Sequence, residues 1–104
     1  MNIADILEDR KIEVPSEKLN EISKILRNIG EPNKLKILFL LKNGPLPVCV
    51  ISYVLGLDQT LISHLLKTLR DLGLIEYSRK GNFKLYSLSE SSIKVLDLLN
   101  EILK

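Results

Sequence analysis

A chain of 104 residues that is 45% hydrophobic can build one modest core, so it reads as a single domain over residues 1–104 that would gain burial by pairing with a second copy. No run approaches the roughly 20 uninterrupted apolar residues of a membrane span, and Asp5, Glu8 and Asp9 near the start do not resemble a signal peptide, so a cytoplasmic protein with no membrane partner is expected. One cysteine excludes an intrachain disulfide, and the net charge of +2 is unevenly spread: residues 32–88 hold eight Lys or Arg against three acidic residues, while the flanks are net acidic.

In chain order, residues 1–14 read as a short amphipathic or partly frayed segment stopped by Pro15. Ser16 is a capping residue, and Ile22, Ile25, Leu26 and Ile29 give the helix after it an apolar face that ends at Gly30. Pro32 opens a second helix with Leu35, Ile37, Leu38, Leu40 and Leu41, apolar on nearly every side and therefore buried. Asn43-Gly44-Pro45 stops it, and Leu46-Pro47 leads into a short helix from Val48 to Leu55, ended by Gly56.

After the tight joint Gly56-Leu57, Asp58 is a good N-cap for a helix reaching about Leu72. Ile62, Leu66 and Leu69 form its inward stripe, which Leu61 and Leu65 widen. The outward set, Gln59, Thr60, Ser63, His64, Lys67 and Thr68, is small or hydrogen-bonding, with one cation, which suits contact with base edges and phosphates. Gly73 ends this helix. Leu74–Ser78 and Phe83–Leu88 are β-prone, with Arg79-Lys80-Gly81-Asn82 between them as a basic hairpin turn in which Gly accepts positive φ and Asn tolerates it. Ser89-Glu90 then starts a last helix to Lys104 with Ile93, Leu96, Leu99, Ile102 and Leu103 on its stripe, more apolar surface than a monomer of this size readily covers. That helix either closes the core or pairs with the first helix and with its copy in a second subunit.

Taken singly, these features are bland: an apolar stripe is usually core, and a basic turn is usually a solvated one. Their order carries the information. A short helix, a tight turn, a polar-faced helix and a basic hairpin make a winged helix-turn-helix, a mainly α fold with a small β-hairpin. On that reading Gln59, Thr60, Ser63, His64 and Lys67 meet double-stranded DNA in the major groove, with Thr68 beside them, and Arg79, Lys80, Asn82 and Lys84 of the wing reach the phosphate backbone. His64 fits equally a phosphate or capping contact.

The run from Gly30-Glu31-Pro32 through Ser63-His64 and Leu69 to Gly73-Leu74-Ile75, with Arg79, Gly81 and Tyr86-Ser87-Leu88 in the hairpin, resembles the ArsR/SmtB family of winged-helix repressors over residues of about 18 to 103. The resemblance implies a homodimer through the outer helices, about 1–30 and 90–104, bound to an inverted repeat. Many relatives hold metal through a Cys-x-Cys in the first helix of the DNA-binding pair, or through His and carboxylates on the last helix. Here only Cys49 matches, Pro47 stands where the other thiolate would be, and the last helix has no His. A tight site needs three or four such ligands, so no metal is expected.

Cys49 reads as a small apolar core residue, the commoner fate of a free cysteine, or as a redox-sensing thiolate. A protein that senses nothing is the third reading, and no effector ligand is legible. Nothing suggests an enzyme or a cofactor: there is no Gly-rich phosphate loop, no paired carboxylate and no triad around the single Cys and single His. The competing classes are a winged helix that binds another protein, towards which Leu65 alone leans, and an architectural DNA binder without sequence preference.

Overall fold

The computed structural model describes residues 2–103. Its elements are α1 (Ile3–Asp9), α2 (Ser16–Ile29), α3 (Pro32–Leu41), α4 (Val48–Leu55), α5 (Gln59–Asp71), β1 (Ile75–Lys80), β2 (Phe83–Leu88) and α6 (Glu90–Ile102). Met1 and Lys104, the ends of the expected domain, lie outside the described residues.

The core is built by α3 to α6 and the hairpin. Ile37, Leu38 and Leu41 of α3 meet Ile51 of α4, Ile62, Leu65, Leu66 and Leu69 of α5, and Leu96 of α6. Leu74, Ile75, Tyr86 and Leu88 close it from the hairpin. The strands pair antiparallel with Ile75 opposite Leu88 and Lys80 opposite Phe83. Leu46, which composition leaves in a loop, bridges to Tyr86 on the free side of β2 through two backbone hydrogen bonds of 3.0 and 2.9 Å.

Helix starts follow local chemistry, with one correction. Pro15, not Ser16, occupies the N-cap position of α2 and makes no side-chain cap. The chain turns one residue earlier than expected, because the Ser16 amide already donates to the Val14 carbonyl at 2.8 Å and Ser16 becomes the first helical residue. At α3 the cap is Glu31, whose carboxylate accepts from the amides of Asn33 (3.0 Å) and Lys34 (2.9 Å), with Pro32 at the first helical position where its missing N–H costs nothing. The Asn33 amide holds the Glu31 carboxyl below its ordinary value; partial burial opposes this, and the amide and charge of Lys34 reinforce it.

The outer helices behave differently. Residues 3–9 form a complete helix capped by Asn2, whose side chain accepts from the Asp5 amide at 3.0 Å. Only Ile29 of α1 and α2 is buried, while Ile3, Leu7, Leu19, Ile22 and Leu26 are exposed. The two helices therefore extend the molecule to 64 × 30 × 22 Å with a radius of gyration of 18.5 Å, against about 13 Å for a compact chain of this length. α6 takes the first course left open above: Leu96, with Val95 and Leu99 beside it, closes the core, while Leu98 and Ile102 stay 64% and 76% exposed on the other face.

Candidate nucleic-acid interface

The site is organised by the joint between α4 and α5, whose axes bend by 113°. Gly56 takes φ +66°, which an L side chain rarely adopts, and its amide donates to the Ser52 carbonyl at 2.9 Å. The Leu57 amide donates to the same carbonyl at 3.2 Å, and the Ser52 hydroxyl donates to the Leu57 carbonyl, so the turn is tied in both directions. Asp58 then caps α5 by accepting from the amides of Thr60 (2.9 Å) and Leu61 (3.3 Å). A helix pair crossing near a right angle over a short glycine turn is the helix-turn-helix geometry.

On α5, Ile62, Leu66 and Leu69 are fully buried and Leu65 is buried to 8% exposure, while Leu61 is exposed. The burial of Leu65 removes the one residue that leaned towards a protein-binding face. Gln59, Thr60, Ser63, His64 and Lys67 are all exposed, and at the helical repeat they share one side of α5. Lys67 pairs with Asp71 one turn on at 3.2 Å, on an open surface. Thr68 is set apart: it is half-buried and its hydroxyl donates back to the His64 carbonyl at 3.3 Å.

The wing differs from expectation at its tip. β1 continues through Arg79 and Lys80, so the turn is only Gly81-Asn82, and Asn82 does not take positive φ; Gly81 alone does, at +61°. A two-residue loop with glycine first matches the twist of a right-handed hairpin, which is why the strand extends to Lys80. As a consequence the cations have fixed faces. Arg79 stands directly opposite Lys84, on the face that also carries Tyr77 and Tyr86, whereas Lys80 opposes Phe83 on the other face.

The joint between α5 and the wing holds residues that the patterning missed. Arg70, in the last turn of α5, places its guanidinium carbon 5.0 Å from the centre of the Tyr77 ring, and the Lys84 ammonium lies 4.8 Å from the same ring. Tyr77 in turn leans on buried Tyr86 at 5.7 Å. The parity of β1, which puts Tyr77 with Arg79, was the available signal; the reach of Arg70 was not visible before the fold was built. The wing root is anchored at the Leu74 carbonyl, which accepts from the Ser89 amide (3.1 Å), the Ser89 hydroxyl (3.2 Å) and the buried Ser92 hydroxyl.

Cys49 is exposed, contrary to the core reading. Ile51 is the buried residue of α4, and Cys49, two positions earlier, lies about 200° away around the helix. Among the described residues no three His, Cys, Asp or Glu side chains gather as a metal site, and no single helix is long and apolar enough to cross a membrane.

Residues 31–77 match the model of the family described as bacterial regulatory protein, arsR family. The chain is 36% identical over 81 residues to the HTH-type transcriptional regulator NmtR of Mycobacterium tuberculosis, covering 78% of this chain and 68% of that one. It is 34% identical over 81 residues to the arsenical resistance operon repressor of Staphylococcus xylosus, covering 78% and 75%. Among solved structures, the homodimeric winged helix-turn-helix DNA-binding domain Mb0332 from Mycobacterium bovis, described as a possible ArsR-family regulator, superposes with a TM-score of 0.77 at 25% identity, covering 84% of this chain and 82% of that one.

Proposed function

The chain belongs to the arsR family of bacterial regulatory proteins, and from that membership and the surface of α5 we infer how it works. It is a DNA-binding transcriptional regulator with a winged helix-turn-helix, and it acts as a homodimer. The bare apolar faces of α1, α2 and α6 are the surface that pairing would cover. Two copies of α5 related by a two-fold axis then enter successive major grooves, so the target is an inverted repeat with half-sites about 10 base pairs apart or a multiple of that. Bound there, the dimer represses by occluding a promoter. As a soluble-type regulator with no membrane partner, it acts in the cytoplasm on double-stranded DNA.

The observation that carries this reading is the single exposed side of α5, with Gln59, Thr60, Ser63, His64 and Lys67, next to a wing whose Arg79 and Lys80 are exposed. The first group reads bases and the second, with Asn82 and Lys84, holds phosphates and sets the salt dependence. Titration of duplexes carrying single base-pair changes tests the division. Gln59→Ala alters preference at particular positions, whereas Arg79→Ala weakens binding to every sequence by a similar factor. Uniform loss in both variants would remove the assignment.

A further inference from the structure

The basic residues around Tyr77 are gathered in a way that the α5 and wing readings do not explain separately. Arg70 and Lys84 each lie within about 5 Å of one ring, so the two cations are within about 10 Å of each other. Arg79 shares their face, directly opposite Lys84 in the hairpin. Like charges in such a cross-strand pair repel. Among the described residues no ion pair relieves them: the nearby Asp71 is engaged by Lys67 at 3.2 Å, and Glu76 stands on the other face of β1, opposite Ser87. The ring that holds the cations is not loose, because Tyr77 rests on Tyr86, which is buried and further fixed by its backbone bonds to Leu46.

We propose that Arg70, Arg79 and Lys84 form one phosphate-binding clamp at the joint of α5 and the wing, with Tyr77 as the platform that aligns it. The proposal rests on the DNA-binding reading above and adds Arg70 as a backbone contact and Tyr77 as a positioning residue. Each strand of duplex DNA carries one negative charge per about 3.4 Å of axis, so cations gathered within about 10 Å of each other can engage neighbouring phosphates of one strand. The planar guanidinium of Arg70 can meet two phosphate oxygens at once. An aromatic face attracts cations without neutralising them, so Tyr77 can hold Arg70 and Lys84 in place while leaving their charge for an anion. The clamp also joins the groove-reading helix to the wing, so a phosphate bound there fixes the angle between the two elements. Arg70, three residues after Lys67 and in the last turn of α5, lies beyond the residues assigned to base edges and is suited to the backbone.

The test is binding of the full chain to a duplex of its selected sequence and to a random duplex, measured by fluorescence anisotropy across a salt series. Arg70→Gln keeps much of the side-chain length and removes the charge. It lowers affinity for both duplexes by the same factor, on the order of tenfold, and flattens the slope of log K against log salt by about 0.9 for each bound protomer. Tyr77→Leu weakens binding at least about threefold through lost alignment, and Tyr77→Phe, which retains the ring, restores it. Wild-type affinity and slope in Arg70→Gln overturn the clamp, as does a Tyr77→Phe protein as weak as Tyr77→Leu. If Tyr77→Leu melts early, the Arg70→Gln slope alone decides. Failure of the unsubstituted protein to bind either duplex overturns the DNA-binding reading itself, a result distinct from an unchanged slope.

Discussion

Asp58 is the point at which the stability of α5 and its proposed use on DNA pull in opposite directions. Its carboxylate accepts from the Thr60 and Leu61 amides at 2.9 and 3.3 Å, two of the orphan donors in the first turn of α5, while its backbone carbonyl accepts from Ile62 at 3.0 Å and is untouched by substitution. Asp58→Ala leaves both amides to water and costs about 1 kcal/mol, which for a domain of this size lowers the melting temperature by roughly 4–8 °C. Asp58→Asn keeps an acceptor and loses only the favourable charge at the positive end of the helix, about 0.3–1 kcal/mol. Thermal melts followed by circular dichroism at one fixed protomer concentration should therefore rank Asp above Asn above Ala. In 1 M salt, where the Debye length falls to about 3 Å, the Asp–Asn gap closes while the Asn–Ala gap persists. On DNA the order changes, because a carboxylate at the tip of a helix facing phosphates is repelled by them: Asp58→Asn binds several-fold more tightly than the unsubstituted protein at low salt. An alanine variant as stable as the original, or an Asp–Asn gap that widens with salt, would refute the reasoning.

Three further outcomes follow from burial and charge. Truncating Leu66, fully buried on the inner face of α5, to alanine costs about 2–5 kcal/mol, read as a lowered midpoint in urea. Because the folded state holds the Glu31 carboxyl below its ordinary value, its contribution is present above the unfolded-state value and is lost as pH falls through the folded one. Glu31→Gln should accordingly show a shallower loss of stability than the parent between neutral pH and about pH 3, and equal slopes would contradict this. Cys49→Ser, at an exposed position of α4, should leave stability within about 0.5 kcal/mol in the same melts, whereas a larger loss would return the thiol to the core.

Much of the central fold was legible because its signals are local. The glycine and proline punctuation at Gly44-Pro45, Pro47 and Gly56 frames α4 at the residues expected, Val48 to Leu55, and Asp58 with the stripe Ile62, Leu66 and Leu69 defines α5. What was not legible depends on how elements meet. α4 reads Val-Cys-Val-Ile-Ser-Tyr-Val-Leu, uncharged on every side, so nothing in its pattern says that Ile51 turns inward and Cys49 outward. Leu65 could belong to either face until the width of the α5 contact was known. Glycine and asparagine mark a turn but not its length, and the two-residue loop moved Arg79 and Lys80 from the tip into the strand. The approach of Arg70 to Tyr77 depends on the packing of α5 against β1, which no spacing within either element encodes.

The central claim, a dimer that reads an inverted repeat, is tested most directly by selecting bound duplexes from a random pool at about physiological salt and weighing the complex in solution. The account predicts an enriched inverted repeat whose half-sites are about 10 base pairs apart, or a multiple of that, occupied by two chains. Binding without enrichment would contradict it in favour of an architectural role, and no binding would move the winged helix to a protein partner.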